Sequence, residues 1–268
     1  MIVLDLLAAS SGMDVSAATR AYLDTLQGPA REQSDAYFEG TYWLLLWGTL
    51  VTVAIDWIIL RSKMSAGFRA LGERLFKNSF MVTWLTALLY VVVTTVIALP
   101  WTIYTGYLRE KQYDLLDLDF GPWISDQLTS FAISLVVGPL AIAVVYALIR
   151  RAQKTWWVLG TAVTGVILMV GMILSPVFIA PLFNTYSEME DGPVRDRIVA
   201  MAQDYNVPAD KIYVFDQSKQ DKRISANVSG FGPTIRIALN DNLLERTTDD
   251  EVLAVTAHEL GHYVMNHG

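Results

Sequence analysis

The chain of 268 residues contains no cysteine. That absence excludes disulfide scaffolds, thiolate metal sites and cysteine nucleophiles, and it leaves the redox compartment unmarked. Charge is scarce as well. Only 18% of residues are Asp, Glu, Lys or Arg, 53% are hydrophobic, and the mean hydropathy is +0.35. A soluble domain carries about a quarter charged residues, so this balance points to a membrane protein. The net charge of -7, with no Lys/Arg-rich run, argues against a nucleic-acid partner. Histidine is equally rare: His258, His262 and His267 are the three, all within the last eleven residues.

What is abundant is long apolar runs. Four have the roughly 20 residues needed to cross a bilayer: Tyr42 to Leu60, Phe80 to Leu99, Leu128 to Ile149 and Trp156 to Phe178, with Pro176 kinking or ending the last. Trp43, Trp84, Trp101, Trp156 and Trp157 sit near their ends, as an interfacial belt requires. Met1 to Ser10 is apolar but short, lacks a basic start and contains Asp5, so it is a poor signal peptide. The expected division is an N-terminal extramembrane segment, 1–40, a membrane domain with four helices, 41–183, and the first part of an extramembrane domain, 184–268. The protein is thus expected to be integral to a membrane, the plasma (inner) membrane in a bacterium, with the lipid bilayer as its first partner. Arg61, Lys63, Arg69, Arg74 and Lys77 follow the first run, and Arg150, Arg151 and Lys154 follow the third. This bias puts both loops in the cytoplasm and residues 184–268 on the opposite side. Asp56 lies inside the first run, where an ionisable group is either functional or paired with a neighbour.

After about Asn184 the pattern becomes that of an α/β domain. Pro193 opens a helix on which Val194, Ile198, Met201, Ala202 and Tyr205 recur at helical spacing. Lys211 to Phe215, Ser225 to Ser229 and Thr234 to Leu239 read as strands, the last two joined by a Gly230-Phe231-Gly232-Pro233 turn. Thr248 and Glu251 form a capping box for a final helix, with Asp249 and Asp250 in its first turn. Gly261 interrupts this helix at a cost of about 1 kcal/mol relative to alanine, which points to close packing or a functional need.

That helix carries His258-Glu259-Leu260-Gly261-His262. Histidines four apart project from one face and suit two corners of a tetrahedral zinc site, one Zn2+ per active site. Zinc lowers the pKa of a bound water to about 7, and Glu259, beside the first ligand, is placed to take its proton and return it to a leaving amine. A metzincin requires glycine at 265 and histidine at 268, where this chain has Met265 and Gly268, so that subtype is rejected. His267 falls one residue early and is expected to be structural or to support the site from outside the ligand set; with no other histidine or cysteine, the third ligand is expected to be a carboxylate. The chain ends six residues after His262, so the metal site is expected to be incomplete within it, with weak zinc binding and little activity from residues 1–268 alone.

Three stretches together resemble the type I CAAX prenyl endopeptidase family, membrane metallopeptidases related to the bacterial HtpX heat-shock protease. They are LPWTIYTGYLREKQYDL (99–115), KIYVFDQSKQDKRISANVSGFGPTIRIALNDNLL (211–244) and EVLAVTAHELGHYVMNH (251–267). The resemblance covers about residues 80–268. It implies a multispan α-helical membrane protein followed by an α+β zincin-type metallopeptidase domain, with His258 and His262 as zinc ligands and Glu259 as base. It also implies a third ligand, a glutamate on a helix beyond residue 268. The strand matching Ala226, Asn227, Val228, Ser229 and Gly230 would lie beside the active site and pair with an extended peptide or protein substrate by β-addition. The family has asparagine where this chain has Ser225. Its eukaryotic members have seven membrane spans and a cytosolic catalytic domain, which conflicts with the charge bias, so the side is left open. The expected function is a membrane zinc endopeptidase for membrane-associated or prenylated-type substrates. The alternatives are a quality-control protease of the HtpX kind and a membrane scaffold or transporter-like protein with an incidental HExxH. Oligomeric state is not legible.

Overall fold

The computed structural model describes residues 14–208, 211–230 and 235–265. Met1 to Ser10, the Phe231–Pro233 part of the expected turn and His267 lie outside the described residues. Two units divide between Ala54 and Ile55. The first holds helix α1 (Val15–Leu23), capped by the Asp14 carboxylate, which accepts from the Ala17 amide at 3.0 Å. It also holds most of α2 (Pro29–Arg61), which begins after Gly28 at φ 64° and runs unbroken past residue 40.

The second unit contains the end of α2, then α3 (Met64–Leu75), α4 (Ser79–Ile103), α5 (Phe120–Arg151) and α6 (Trp156–Leu174). Helix α4 continues through a π turn, Tyr104–Leu108, into a final turn, Arg109–Gln112. Pro100 withholds one amide from the ladder just before that π turn, and Pro176 sits in a second one, Ser175–Ile179, at the end of α6. The expected interruption of the fourth apolar run at Pro176 therefore takes the form of a widened turn. Among the described residues four helices are long and apolar enough to cross a membrane: Pro29–Arg61, Ser79–Gln112, Phe120–Arg151 and Trp156–Leu182. Where the sequence suggests a connecting loop over 61–79, the chain is largely helical. Gly72 of α3 lies so close to α4 that an added Cβ would stand 3.1 Å from the Val82 carbonyl oxygen. Helices α4 and α5 pack along each other, with Ala87 and Ala143 buried. Small side chains are what allow helices to approach in lipid, where no hydrophobic drive brings them together. Asp56 of α2 accepts a hydrogen bond from the Tyr90 hydroxyl of α4 at 2.6 Å. The intramembrane carboxylate is therefore paired with a neighbour.

Beyond α6 comes a four-stranded sheet of order β1-β2-β4-β3, built from β1 (Tyr186–Glu188), β2 (Ile212–Phe215), β3 (Ala226–Ser229) and β4 (Arg236–Asn240). Strands β2 and β4 are parallel and the outer pairings antiparallel. Helices α7 (Pro193–Asp204), α8 (Asp241–Arg246) and α9 (Asp249–Val264) complete the region. One face of the sheet and the apolar stripes of α7 and α9 share a core of Ile198, Ala202, Ile212, Ile237, Leu239, Leu243, Val252 and Leu260. Ile237 and Leu239 alternate toward that core, which fixes the register of β4. Of the expected stripe on α7, Ile198 and Ala202 are fully buried, whereas Tyr205 stays exposed at the helix end.

Candidate metal centre

Helix α9 begins with the expected capping box. The Thr248 hydroxyl accepts from the Glu251 amide at 3.4 Å, and the Glu251 carboxylate accepts from the Thr248 amide at 2.8 Å. That amide, with the Thr248 hydroxyl, holds the Glu251 carboxyl below its ordinary range. Three acids in the first turn oppose the positive end of the helix dipole. Val252, Thr256 and Leu260 anchor the buried side of α9. His258 and His262 therefore emerge on its exposed side, with Glu259 half-buried between the two faces.

The two imidazoles meet. Their Nε2 atoms are 3.0 Å apart and their rings stand edge to face, with centroids 4.6 Å apart. Zn–N bonds of about 2.0–2.1 Å in a tetrahedral shell separate two nitrogens by about 3.3 Å. The pair thus fits two corners of such a shell with a small ring adjustment. Among the described residues no group of three or more His, Asp or Glu side chains comes together as a metal site. Gly261 is not closely packed: an added Cβ would meet only the flexible end of Met265, at 3.8 Å. It opens instead onto a groove between α7 and α9 that Ala257 and Leu260 also line. Of the two expected grounds for this glycine, close packing or a functional need, close packing is not seen among the described residues.

The stretch Ala226–Gly230 is the sheet edge. Among the described residues strand β3 pairs only with β4, Ala226 opposite Leu239 through Ser229 opposite Arg236, and α9 packs beside it. Gly230 ends the strand at φ 101°, a left-handed conformation that favours glycine. The HExxH helix and this edge strand are therefore neighbours.

Sequence reasoning missed the residues that seat the edge strand. Asn240, wholly buried at the end of β4, accepts from the Ser225 amide at 3.0 Å and donates to the Arg223 carbonyl at 2.6 Å. Its carboxamide oxygen also accepts from the Leu243 amide at 2.9 Å and so caps α8. Asn242 donates to the Asp221 carbonyl at 2.7 Å and to that of Arg223 at 3.1 Å. Arg223 in turn reaches Glu110 at the foot of α4, 2.6 Å away, and Lys222 reaches Asp114 at 2.7 Å. The helix foot and the root of β3 are tied through these pairs. The available signal was an apolar strand ending abruptly in Asn240-Asp241-Asn242, a helix-capping composition.

Residues 19–185 match the family described as CAAX prenyl protease N-terminal, five membrane helices, and residues 188–268 match Peptidase family M48. The chain is 30% identical over 221 residues to the uncharacterized metalloprotease YhfN of Bacillus subtilis, an alignment covering 81% of this chain and 52% of that protein. It is 31% identical over 180 residues to CAAX prenyl protease 1 of Saccharomyces cerevisiae, covering 65% of this chain and 39% of that protein. The crystal structure of S. mikatae Ste24p superposes with a TM-score of 0.76 at 23% identity, over 90% of this chain and 58% of that one. The chain thus spans about half the length of the relatives it matches. Its four membrane-length helices and these matches make it an integral membrane protein.

Proposed function

The chain belongs to the CAAX prenyl protease family with its M48 peptidase region, and on that premise we propose that His258, Glu259 and His262 are the working core of a membrane zinc endopeptidase. The observation that carries this reading is the convergence of the two Nε2 atoms to 3.0 Å on a capped helix that packs against an open sheet edge. His258 and His262 would hold the metal. A catalytic zinc site takes three protein ligands, and we assign the third to a part of the protein outside the described residues. Bound zinc supplies Lewis-acid polarisation of a water and of a peptide carbonyl. Glu259 accepts the proton released as the carbonyl is attacked and delivers it to the departing amine. The Ala226–Gly230 edge offers its free backbone groups to an extended peptide, which aligns the scissile bond along α9. On this reading the chain divides into an N-terminal segment, 1–40, a membrane domain, 41–183, and the metallopeptidase region from 184. Relatives named CAAX prenyl protease 1 suggest prenylated carboxyl-terminal peptides as the substrate class.

The test uses the full-length protein in detergent, with zinc measured by elemental analysis and cleavage followed on matched prenylated and unprenylated peptides. Glu259→Gln is expected to keep its zinc and lose about 10²- to 10⁴-fold in turnover, and His258→Ala to lose the zinc. Unchanged cleavage by Glu259→Gln would remove the proposed base. Equal cleavage of both peptides would favour a quality-control protease.

A further inference from the structure

The opposite end of the helical region carries a feature the catalytic reading does not use. Residues 61–79 and 150–154 hold eight of the chain's 20 Lys and Arg but only one, Glu73, of its 27 Asp and Glu. The fold brings the two segments to the same end. Arg150, at the last turn of α5, donates to the Thr83 hydroxyl in the first turns of α4 at 3.0 Å. Helix α3 leads into that same turn and packs on it through Gly72. The single acid is already matched, with Glu73 2.8 Å from Arg69.

Helix α3 is amphipathic. Met64, Phe68, Leu71 and Leu75 fall on one stripe at helical spacing, while Arg69 and Arg74 flank it on either side. Met64 and Phe68 are half-buried, but Leu71 and Leu75 are 42% and 59% exposed. An exposed apolar stripe bordered by cations, on a helix set between two membrane-length helices, suits the headgroup boundary. There the leucines enter the acyl layer and the guanidinium groups extend back to the phosphates. Trp156 and Trp157, both exposed at the start of α6, follow the second basic segment and mark the same depth.

We propose that α3 and the Arg150–Lys154 turn form one cationic platform that binds the anionic phospholipids of the adjacent leaflet. Charge complementarity selects this occupant. The rest of the chain is strongly acidic, so the positive field is confined to this end, and the leucine stripe gives it an apolar floor that only a lipid surface matches in both respects. The inference is independent of the catalytic reading.

The full-length protein is equilibrated with vesicles of equal phosphatidylglycerol and phosphatidylcholine and extracted, and its retained lipid is identified by native mass spectrometry. Phosphatidylglycerol is expected to be retained preferentially. Arg69→Gln/Arg74→Gln/Lys77→Gln is expected to lower that preference at least about tenfold, and the corresponding Lys/Lys/Arg exchange to preserve it. Arg195→Gln/Arg197→Gln on α7 serves as the control and should leave it unchanged. Equal retention of both lipids by the unaltered protein would overturn the proposal and leave the platform to an acidic protein or a second copy. An equal loss in the α7 control, or a loss in the charge-preserving variant, would also overturn it.

Discussion

Asn240 has no exposed surface and uses both ends of its carboxamide on backbone groups of Arg223, Ser225 and Leu243. Replacing it with alanine leaves those groups to find water at the edge of a packed core, at about 1–3 kcal/mol. Asn240→Ala is expected to lower the thermal midpoint and speed amide exchange at Ser225 and Ala226, while zinc content stays unchanged. Asn240→Asp keeps the acceptor to Ser225 and Leu243 but not the donor to Arg223, so an intermediate effect is expected. The cap on Leu243 has a local signal in the Asn240-Asp241-Asn242 run, but the bonds to Ser225 and Arg223 have none, because those partners lie 15 and 17 residues away across a sheet. The histidines were legible for the opposite reason. Their relation is one helical turn, which sequence spacing states directly, and the structure places their nitrogens 3.0 Å apart. Gly261 shows the limit of such reading, since a glycine in a helix is equally consistent with a tight contact and with open space.

Among the elements, α7, α9 and the three strands after Lys211 follow from periodicity and capping residues, with ends shifted by one or two positions. Strand β1 did not follow, because three residues are too few to show alternation, and its pairing with Tyr213–Phe215 is set by the returning chain. The parallel β2–β4 pairing was equally hidden, since the intervening β3 folds back to the outer side. The root of β3 is held by ion pairs with pH limits. The hydrogen bond from Lys222 holds the Asp114 carboxyl below its ordinary range, and the same bond holds the Lys222 ammonium above its own. For a depressed acid the contribution is complete above the ordinary carboxylate value and fades as pH falls through the lowered one. For a raised base it is complete below the ordinary lysine value and fades as pH rises through the raised one. Exchange of the Asp221 and Lys222 amides, corrected for intrinsic rate, is therefore expected to stay level from about pH 5 to 9 and to accelerate below about pH 4. In Asp114→Asn the acid limb should shrink, with Asp117, 3.6 Å from Lys222, carrying part of what remains.

At the scale of the whole molecule, the membrane-length helices were evident from composition, because a bilayer demands long apolar runs and nothing else in the sequence supplies them. Three such helices separate α3 from β1. The cysteine-free chain is a ready background for testing that count: Ala66→Cys and Ser187→Cys are expected to react with a membrane-impermeant maleimide from opposite faces of sealed vesicles. Labelling from one face would mean that one of the helices does not cross. Helix α4 joins these scales. From Ser79 to Gln112 it extends about 50 Å, well beyond the roughly 30 Å of hydrocarbon it must traverse, and Glu110 at its foot grips Arg223 below the edge strand. A bilayer thinner than its apolar length makes such a helix lean, and a thicker one draws it upright. The seat of the edge strand would move with that lean, so under the proposed function bilayer thickness becomes an input to peptide alignment. Peptide cleavage by the reconstituted full-length protein should accordingly pass through an optimum as the acyl chains of the host bilayer are lengthened, and Glu110→Gln should flatten it.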